Sequence, residues 1–351
     1  MVNILVTAVG GEGHGSQILK ALLLANNEKY RIFGADANPN CQQFSLVDGS
    51  AVLPLASSVD YMPQLFELIE RFEIDVLFHG CEPELKLFAE HRDEIEECGV
   101  FLPINSSSMI KLCMDKEKTN QRLEELNFSP PKYAVINVRA DLANINWFPV
   151  VVKPAVGGGG SANVYIAQNR KELEGLAEYL NLDSNEVKFI IQEYVGTPEQ
   201  EYTVGVLHDM DGNYINSIAV KRELTAQLNI RMSVPNGTEK KELGPKLIVS
   251  SGVSQGQVGR FEEVTSQCRE IALKIGVRGA VNIQCRFVDG VVKVFEINPR
   301  FSGTTSLRAM VGYNEPDVLI QKHLFGTEIE QNFEYEGANI FRSLIETKLV
   351  D

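Results

Sequence analysis

Polar side chains interrupt two apolar strand patterns near the C-terminus of this 351-residue chain. The segments VNIQCRF and VVKVFEINPR predict adjoining strands that carry Gln284, Glu296 and Asn298, with Arg300 at the exit. Burying a carboxylate and two amides is costly unless a cation binds there. All-oxygen ligands suit Mg²⁺ or Mn²⁺, and Mg²⁺ usually arrives with substrate phosphates. The pattern therefore predicts the metal end of a nucleotide site, where the planar fork of Arg300 can hold a phosphoryl oxygen.

The turn between these strands decides whether Gln284 and Glu296 can share a metal ion. A two-residue turn at Asp289-Gly290 would put the two side chains on opposite faces of the strand pair. A three-residue loop at 288–290, with its glycine left-handed, puts them on the same face. We predict the three-residue loop.

Bulk properties exclude several classes of function. The formal net charge of −14, from 33 basic and 47 acidic residues, argues against a general nucleic-acid binder. No segment approaches the roughly 20 apolar residues that a membrane helix needs. The N-terminal sequence MVNILVTAVGG predicts a first strand and not a signal peptide. The six cysteines form no CxxC pair, which favours free thiols in the cytoplasm over a zinc or redox motif.

The chain divides into three predicted units. Residues 1–105 alternate strand and helix patterns, which indicates a parallel, helix-covered sheet. Residues 106–195 begin with helices and continue with the strand PVVVKP, a glycine loop and further strands. Residues 196–351 contain strands, a polar Gly/Ser-rich loop at 249–259 and an amphipathic helix that ends at Gly276. The predicted class is α/β combined with α+β.

A glycine-rich turn, GGEGHG, follows the first strand at residues 10–15. It departs from the dinucleotide-binding fingerprint, because the third glycine position is occupied by Ser16 or Ile18. A tight turn whose N–H groups face a ligand or another domain fits better. Asp36 leaves a ribose site open, and His14 is expected to make local hydrogen bonds.

A second polar turn, HGCEPE, follows another strand of the same sheet. Its Glu82 and Glu84 could meet an amine substrate at the carboxyl edge of the sheet. We favour the simpler interpretation, in which acidic side chains lie near the positive end of a helix.

The phosphate end of the predicted site is a glycine loop between two strands. Backbone N–H groups of such a loop suit phosphate oxygens, although glycines alone would also fit a hairpin tip. No Gly-Lys-Ser/Thr follows, so this is not a Walker loop. The loop consists of Gly157, Gly158, Gly159, Gly160 and Ser161.

Two lysines accompany this loop. Lys153 stands in an otherwise apolar strand, where an unpaired ammonium would be costly and a triphosphate is an apt counter-charge. Lys116, at the start of a helix, is a second candidate, although a lysine in such a position is usually a solvated surface residue. A connector carrying Glu193 and Val195 could dock a base through backbone groups, and the carboxylate of Glu201 could hold a ribose.

The full order of these features, from Lys116 to Arg300, resembles the ATP-grasp superfamily. Within it the chain is similar to the carbamoyl-phosphate-synthetase large-subunit-like branch, which includes stand-alone carboxylate–amine ligases. The resemblance covers nearly the whole chain. It implies an N-terminal Rossmann-like pre-ATP-grasp domain followed by a two-subdomain ATP-grasp fold.

The resemblance also implies a role for each motif. The two lysines contact ATP phosphates under a mobile lid formed by the glycine loop. The backbone at Glu193 and Val195 holds adenine, and Glu201 holds the ribose. Gln284 takes the place of an acidic residue found in many ATP-grasp ligases. The implied metal ligands, for two Mg²⁺ or Mn²⁺ ions, are Gln284, Glu296 and Asn298, and the implied catalytic residues are Arg300 and Lys153.

The implied reaction is an ATP-dependent C–N ligation through an acyl phosphate. The substrates would be a small carboxylate, with amino acids among the candidates, and an amine; nucleic acid and membrane are not expected partners, and a homodimer is left open. Alternatives are a small-molecule kinase, a carbamoyl-phosphate-synthetase-like enzyme without amide formation, or a non-catalytic ATP-binding protein. The chain is too short for a complete carbamoyl phosphate synthetase.

Residues that select the substrate are harder to identify. Arg222 and Arg231 are candidates for the acceptor carboxylate, with surface salt bridges equally open. Ser302 and Gly303 could line the acyl pocket or form only a turn. The small polar loop at 250–256 could be a mobile substrate loop or a connector.

Overall fold

A computed structural model describes residues 1–11, 13–157, 163–183, 187–225 and 227–344. Its first sheet is parallel and has the strand order β3-β2-β1-β4, as the alternating pattern predicts. The strands are β1 (Val2–Val6), β2 (Tyr30–Asp36), β3 (Gly49–Val52) and β4 (Val76–Phe78). The accompanying helices are α1 (His14–Ala25), α2 (Tyr61–Phe72), α3 (Glu82–Glu90) and α4 (Arg92–Glu97).

A second, antiparallel sheet has the order β5-β8-β6-β7. Helix α7 (Arg170–Tyr179) follows β7, and the Asn169 side chain caps its first turn. Helices α5 (Ser107–Cys113) and α6 (Lys116–Glu125) precede this sheet in the chain. The strands are β5 (Tyr133–Ile136), β6 (Val150–Pro154), β7 (Tyr165–Ala167) and β8 (Phe189–Glu193).

A third sheet has six strands in the order β15-β14-β9-β10-β13-β16. These strands are β9 (Glu201–His208), β10 (Tyr214–Arg222), β13 (Gly256–Gly259), β14 (Ala280–Val288), β15 (Val291–Asn298) and β16 (Ala338–Ile340). A separate two-stranded sheet consists of β11 (Ile230–Pro235) and β12 (Lys246–Ser250). The helices of this part are α8 (Glu262–Ile275), α9 (Thr305–Ala309) and α10 (Glu315–His323).

The predicted polar loop at 249–259 is wrong in extent. Its first residues end β12, and its last four form β13, which pairs with β10 and β16. Because β13 consists of Gly, Gln, Val and Gly, only one of its four residues has the β-branched or aromatic side chain typical of a strand. Backbone pairing with β10 and β16, and not side-chain propensity, holds this segment extended.

The predicted three-residue loop at the end of β14 is also wrong. Val288 pairs with Val291, so the turn has two residues, and Asp289 and Gly290 have φ of 49° and 78°. These positive angles match the hairpin turn that follows the twist of the strands. Gln284 and Glu296 are brought to the same face of the strand pair by a β-bulge. In this bulge Phe295 is the extra residue between the pairs Cys285–Val294 and Gln284–Glu296.

The first and third sheets share one hydrophobic core. Phe78 of β4 packs edge-to-face on Phe301 with ring centroids 5.4 Å apart, and the core continues from Ile18 of α1 to Leu319 of α10. Helices α5 and α6 also contribute Met109, Cys113 and Leu123 to the core under β9, β14 and β15. Because this core joins residues from both sides of position 195, the domain boundaries at 105 and 195 stay a prediction. No helix in the described ranges is long and apolar enough to cross a membrane.

Candidate active site

Two adjoining cavities lie along the junction of the sheets. The first opens between the second sheet and the β9–β14–β15 face. The second is larger and extends toward the loops after β1 and β4. Gly157, Gln284 and Glu296 line both cavities. The predicted residues that line the first cavity are Lys116, Lys153, Gly157, Glu193, Val195, Glu201, Gln284 and Glu296.

Lys153 lies on β6 at the inner wall of the first cavity and is only 6% exposed. Its Nζ donates a hydrogen bond of 2.8 Å to the Phe295 carbonyl, which belongs to the bulge residue. Burial, and then the charge of Lys116, lower its pKa from 10.5 to about 7, against the opposing effect of Glu296. A buried ammonium with no carboxylate in hydrogen-bond contact favours an anionic ligand in this cavity.

Lys116 is the first residue of α6 and reaches the start of the glycine loop. Its Nζ donates to the Gly157 carbonyl at 2.8 Å, and its N–H donates to the Ala155 carbonyl. The side chain of Asp115 caps α6 and fixes this end of the helix. Gly157 has a φ of 75°, which favours glycine. The predicted lid residues Gly158, Gly159, Gly160 and Ser161 lie outside the described residues.

The predicted metal ligands share one face of the hairpin formed by β14 and β15. Gln284 is directly opposite Glu296, and Asn282 is opposite Asn298 two residues along. The bulge at Phe295 creates this alignment, since a regular ladder from the turn would pair Gln284 with Phe295. The strand pair thus presents one carboxylate and three amides together.

This donor set fits Mg²⁺ held jointly with phosphates. Glu296 and Gln284 supply a carboxylate and an amide oxygen, and phosphate oxygens and water would complete the coordination. The amide of Asn298 has its Oδ1 accepting from Arg300 at 3.1 Å, and its buried Nδ2 has no partner. A phosphate oxygen would satisfy that donor. Among the described residues, no group of three or more His, Cys, Asp and Glu side chains could hold a metal by itself.

The connector after β8 forms the far end of the first cavity. The Glu193 N–H donates to the Lys132 carbonyl, and the Glu193 carboxylate pairs with Lys240 at 3.2 Å. The Val195 N–H makes no hydrogen bond within the part of the chain that the structure describes. It is therefore available to a ligand, beside the apolar walls that Tyr194 and Ile248 provide.

Arg286 organises this connector, a role that our sequence analysis did not assign. Its guanidinium donates to the carbonyls of Val195, Gly196 and Ile248, and lies over the Tyr194 ring at 4.4 Å. It also pairs with Glu201, its cross-strand neighbour, at 3.1 Å. The cross-strand pairing of opposite charges was the available signal.

Glu201 lies at the edge of the first cavity and is 2% exposed. Two arginines hold its carboxylate: Arg286 at Oε2 and Arg222 at 3.3 Å from Oε1. Oε1 makes no hydrogen bond of good geometry. A ligand hydroxyl could donate to this oxygen without displacing either arginine.

The contacts of Arg222 and Arg231, the two candidates for binding the acceptor carboxylate, do not support that role. Arg222 lines the second cavity, but its guanidinium also donates to the Ser250 hydroxyl and to the carbonyls of Ser251 and Val253. It therefore braces that loop, and little of it remains for a substrate. Arg231 is exposed on β11 and lines neither cavity. Both assignments stay predictions that these contacts do not support.

Arg300 lies in the second cavity at the junction with the first sheet. Its Nη2 pairs with Glu82 of α3 at 2.9 Å, and its Nη1 donates to the Phe301 carbonyl. Ser302 and Gly303 line the same cavity, with the Ser302 hydroxyl bonded to that of Thr304. Sequence reasoning gave less weight to Glu82 at this edge, because its partner lies 218 residues away.

The loops of the first sheet close the second cavity. His14 does not make the local hydrogen bond that we expected: it is half-buried, and its Nε2 has no partner among the residues that the structure describes. Gly15 and Gly80 lie so close to the backbone oxygens of residues 7 and 8 that a side chain at either position would collide with them. Asp36 accepts from the Gly10 N–H and is used within the turn, so its contacts do not support a ribose site.

Two family profiles match separate parts of the chain. A sequence profile described as "PylC-like, N-terminal domain" matches residues 4–103. A profile described as "ATP-grasp in the biosynthetic pathway with Ter operon" matches residues 246–340, the part that contains the β14–β15 hairpin. The carbamoyl phosphate synthase large chain of Thermoplasma acidophilum is 25% identical over 306 residues, which are 84% of this chain. The match spans only 27% of that relative, about a quarter of its length.

Solved structures share the fold at low sequence identity. An N5-carboxyaminoimidazole synthetase from Staphylococcus aureus, solved with ADP, superposes with a TM-score of 0.64 at 14% identity, covering 95% of this chain and 80% of that one. An L-amino acid ligase from Bacillus licheniformis gives 0.62 at 17% identity, covering 92% and 74%. At these identities the likeness establishes the fold.

Proposed function

We propose that this chain, which belongs to the ATP-grasp superfamily and has a PylC-like N-terminal domain, is an ATP-dependent carboxylate–amine ligase. One observation carries the proposal. The cavity with Lys116, Lys153 and the Gln284–Glu296 pair opens into a second cavity that contains Arg300. A nucleotide and a second small molecule could therefore meet at the carboxylate of Glu296.

The nucleotide would bind with its base at the connector after β8. The Val195 N–H is available to a ring nitrogen of adenine, and Arg286 holds the connector in place. Glu201 would accept a ribose hydroxyl. Lys116 and Lys153 would contact the phosphates, and a bound triphosphate would restore the charged form of Lys153.

Gln284, Glu296 and Asn298 would hold Mg²⁺, two ions in our proposal. When bound, Mg²⁺ supplies charge neutralisation between the nucleotide phosphates and the chain. Lys153 adds positive charge on the same side, and the buried Nδ2 of Asn298 offers a phosphate oxygen a donor. These groups are fixed before the ligand arrives, which is the condition for electrostatic stabilisation of a transferred phosphoryl group.

The reaction would proceed in two balanced steps. A substrate carboxylate oxygen attacks the γ-phosphorus of ATP, the bond to the bridging oxygen breaks, and ADP leaves with an acyl phosphate formed. An amine nitrogen then attacks the acyl carbon, the carbon–oxygen bond to phosphate breaks, and the products are an amide, phosphate and one proton. Arg300 would steady the acyl phosphate. The cytoplasmic location and the homodimer stay predictions.

A screen of ADP release over pairs of the twenty standard amino acids tests this function. The wild-type protein should release ADP with at least one pair, and mass spectrometry should find a product equal to the two substrates minus water. Glu296→Ala should lower turnover on the order of 10³-fold, because it removes the only carboxylate among the proposed metal ligands. Glu328→Ala, an exposed carboxylate in the same part of the chain, is the matched control.

Two results would count against the proposal. ADP release that requires the carboxylate but yields only a phosphorylated product would indicate a kinase. Full activity in the Glu296 variant, with an unchanged melting temperature, would remove the metal assignment.

A further inference from the structure

The second cavity has a wall made by the first sheet that the ligase chemistry described so far does not use. His14 begins α1 and Glu82 begins α3, and both line this cavity opposite Arg300. The cavity reaches from them to Gln284 and Glu296. An inference about this wall rests on the proposed function, since it concerns the second substrate of the same site.

Glu82 forms an ion pair with Arg300, which would move to the acyl phosphate in the proposed reaction. Its side chain is 23% exposed and its Oε1 accepts from Arg300 at 2.9 Å. Burial would raise the pKa of Glu82, but Arg300 outweighs burial and the pKa lies below its usual 4.5. When Arg300 turns to an acyl phosphate, the carboxylate loses its counter-charge. A partly buried carboxylate in that state favours the binding of another cation.

In the described part of the chain, Glu82 forms its ion pair with Arg300, while Lys116 acts on it only through its charge because the Lys116 Nζ donates to the Gly157 carbonyl. His14 and His79 lie against each other with ring centroids 5.7 Å apart. Burial, with Arg300 adding to it, lowers the pKa of His79 to about 3 and that of His14 well below 6.5, so both rings are neutral. Lys86, one turn along α3, is exposed at the cavity.

His14 adds a second, independent feature. Its Nε2 is buried, has no partner in the part of the chain that the structure describes, and belongs to a side chain that lines the cavity. An unpaired buried ring nitrogen is costly unless a ligand contacts it. A carboxylate and a neutral imidazole nitrogen on the lining of one cavity suit an ammonium group, which donates up to three hydrogen bonds.

We propose that Glu82 and His14 bind the ammonium group of the amine substrate, a primary amine such as an α-amino acid. Glu82 exchanges Arg300 for the substrate nitrogen when the acyl phosphate forms. The exchange places the nitrogen beside the acyl carbon and frees Arg300 for the phosphate; the ammonium gives up one proton to water before the neutral nitrogen attacks. The N-terminal unit thus selects the amine, while the rest of the chain activates the carboxylate.

The test separates amine binding from activation of the carboxylate. The amino-acid pair found with the wild-type protein is assayed for amide formation, and the same carboxylate is assayed with hydroxylamine alone. Hydroxylamine is uncharged at neutral pH and traps acyl phosphates as hydroxamates. Glu82→Gln should raise the KM for the amine by about tenfold or more and leave the hydroxamate rate within about twofold, because only the amine arm loses a charge-assisted contact.

Two further variants sharpen the result. Glu82→Asp keeps the carboxylate and should bind the amine more tightly than Glu82→Gln. Glu90→Gln makes the same charge change at the exposed last residue of α3 and should leave both assays unchanged. Hydroxamate formation by Glu82→Gln also shows that the variant is folded.

Three outcomes would overturn the inference. An unchanged KM for the amine in Glu82→Gln would remove Glu82 from the amine site. Equal losses of amide and hydroxamate would mean that Glu82 acts by positioning Arg300. A wild-type protein that forms neither product from any pair would overturn the proposed function itself, and this inference with it.

Discussion

A buried lysine defines the chemistry of the first cavity at the scale of single residues. Lys153 is held by the carbonyl of the bulge residue Phe295, and no carboxylate of the described ranges is in hydrogen-bond contact with it. Burying its charge lowers the free energy of unfolding, and a bound anion would offset this loss. Residues kept in a destabilised state at a cavity are a common mark of a binding site.

The pH dependence of stability tests this interpretation of Lys153. Its pKa is about 7 in the folded chain and 10.5 in the unfolded one. Below about pH 7 both states hold the proton, so the full cost is present. Between about 7 and 10.5 the unfolded chain binds more protons, so the free energy of unfolding should rise with pH.

Lys153→Met should remove this rise and stabilise the ligand-free protein at about pH 7, while weakening ADP binding about tenfold or more. Urea unfolding at about pH 7 and about pH 9.5, with calorimetric titration of ADP, measures both effects. Lys171→Met, at an exposed position of α7, is the control. A wild-type pH profile that matches that of the Met variant would contradict the assigned pKa.

Residue identity at the site was more predictable than residue contacts. Gln284, Glu296, Asn298 and Lys153 stand out in the sequence because each is polar within an apolar strand. Three of them line the first cavity, and Asn298 lies two residues from Glu296 on β15. Arg286 and Glu82 gave little signal, since their partners lie 85 and 218 residues away in the chain. Long-range pairing of this kind follows from topology and not from local pattern.

At the scale of elements, the β14–β15 hairpin depends on a bulge and not on its turn. The bulge at Phe295 aligns Gln284 with Glu296 and frees a carbonyl for Lys153. Sequence periodicity showed that the two faces had to be reconciled, but it could not tell a bulge from a longer loop. Both insert one residue and both restore the register.

The turn should therefore matter for stability and not for activity. Gly290 has a φ of 78° and is exposed, so Gly290→Ala should cost about 1 kcal/mol of unfolding free energy with kcat unchanged. Gly175→Ala, the same substitution at an exposed position inside helix α7, should instead stabilise by about 0.5–1 kcal/mol. Chemical denaturation and the ADP-release assay give both quantities. Loss of activity at unchanged stability in Gly290→Ala would mean that the turn, and not the bulge, sets the faces.

At the scale of the whole molecule, the two cavities form where three sheets meet. The parallel first sheet was predictable from alternating strands and helices, and it is confirmed. The six-stranded sheet was predictable only in part, because β13 and the edge strand β16 are short and are held by backbone pairing. The shared core between the first and third sheets fixes the N-terminal loops against the site, which no local pattern could indicate.

The central claim is that the first cavity binds ATP with Mg²⁺. A crystal structure with adenylyl imidodiphosphate and Mg²⁺ tests it most directly. We expect the triphosphate against Lys116 and Lys153, the base at Val195, and metal density between Glu296, Gln284 and the phosphates. An empty first cavity, or a nucleotide bound at the glycine turn after β1, would contradict the account.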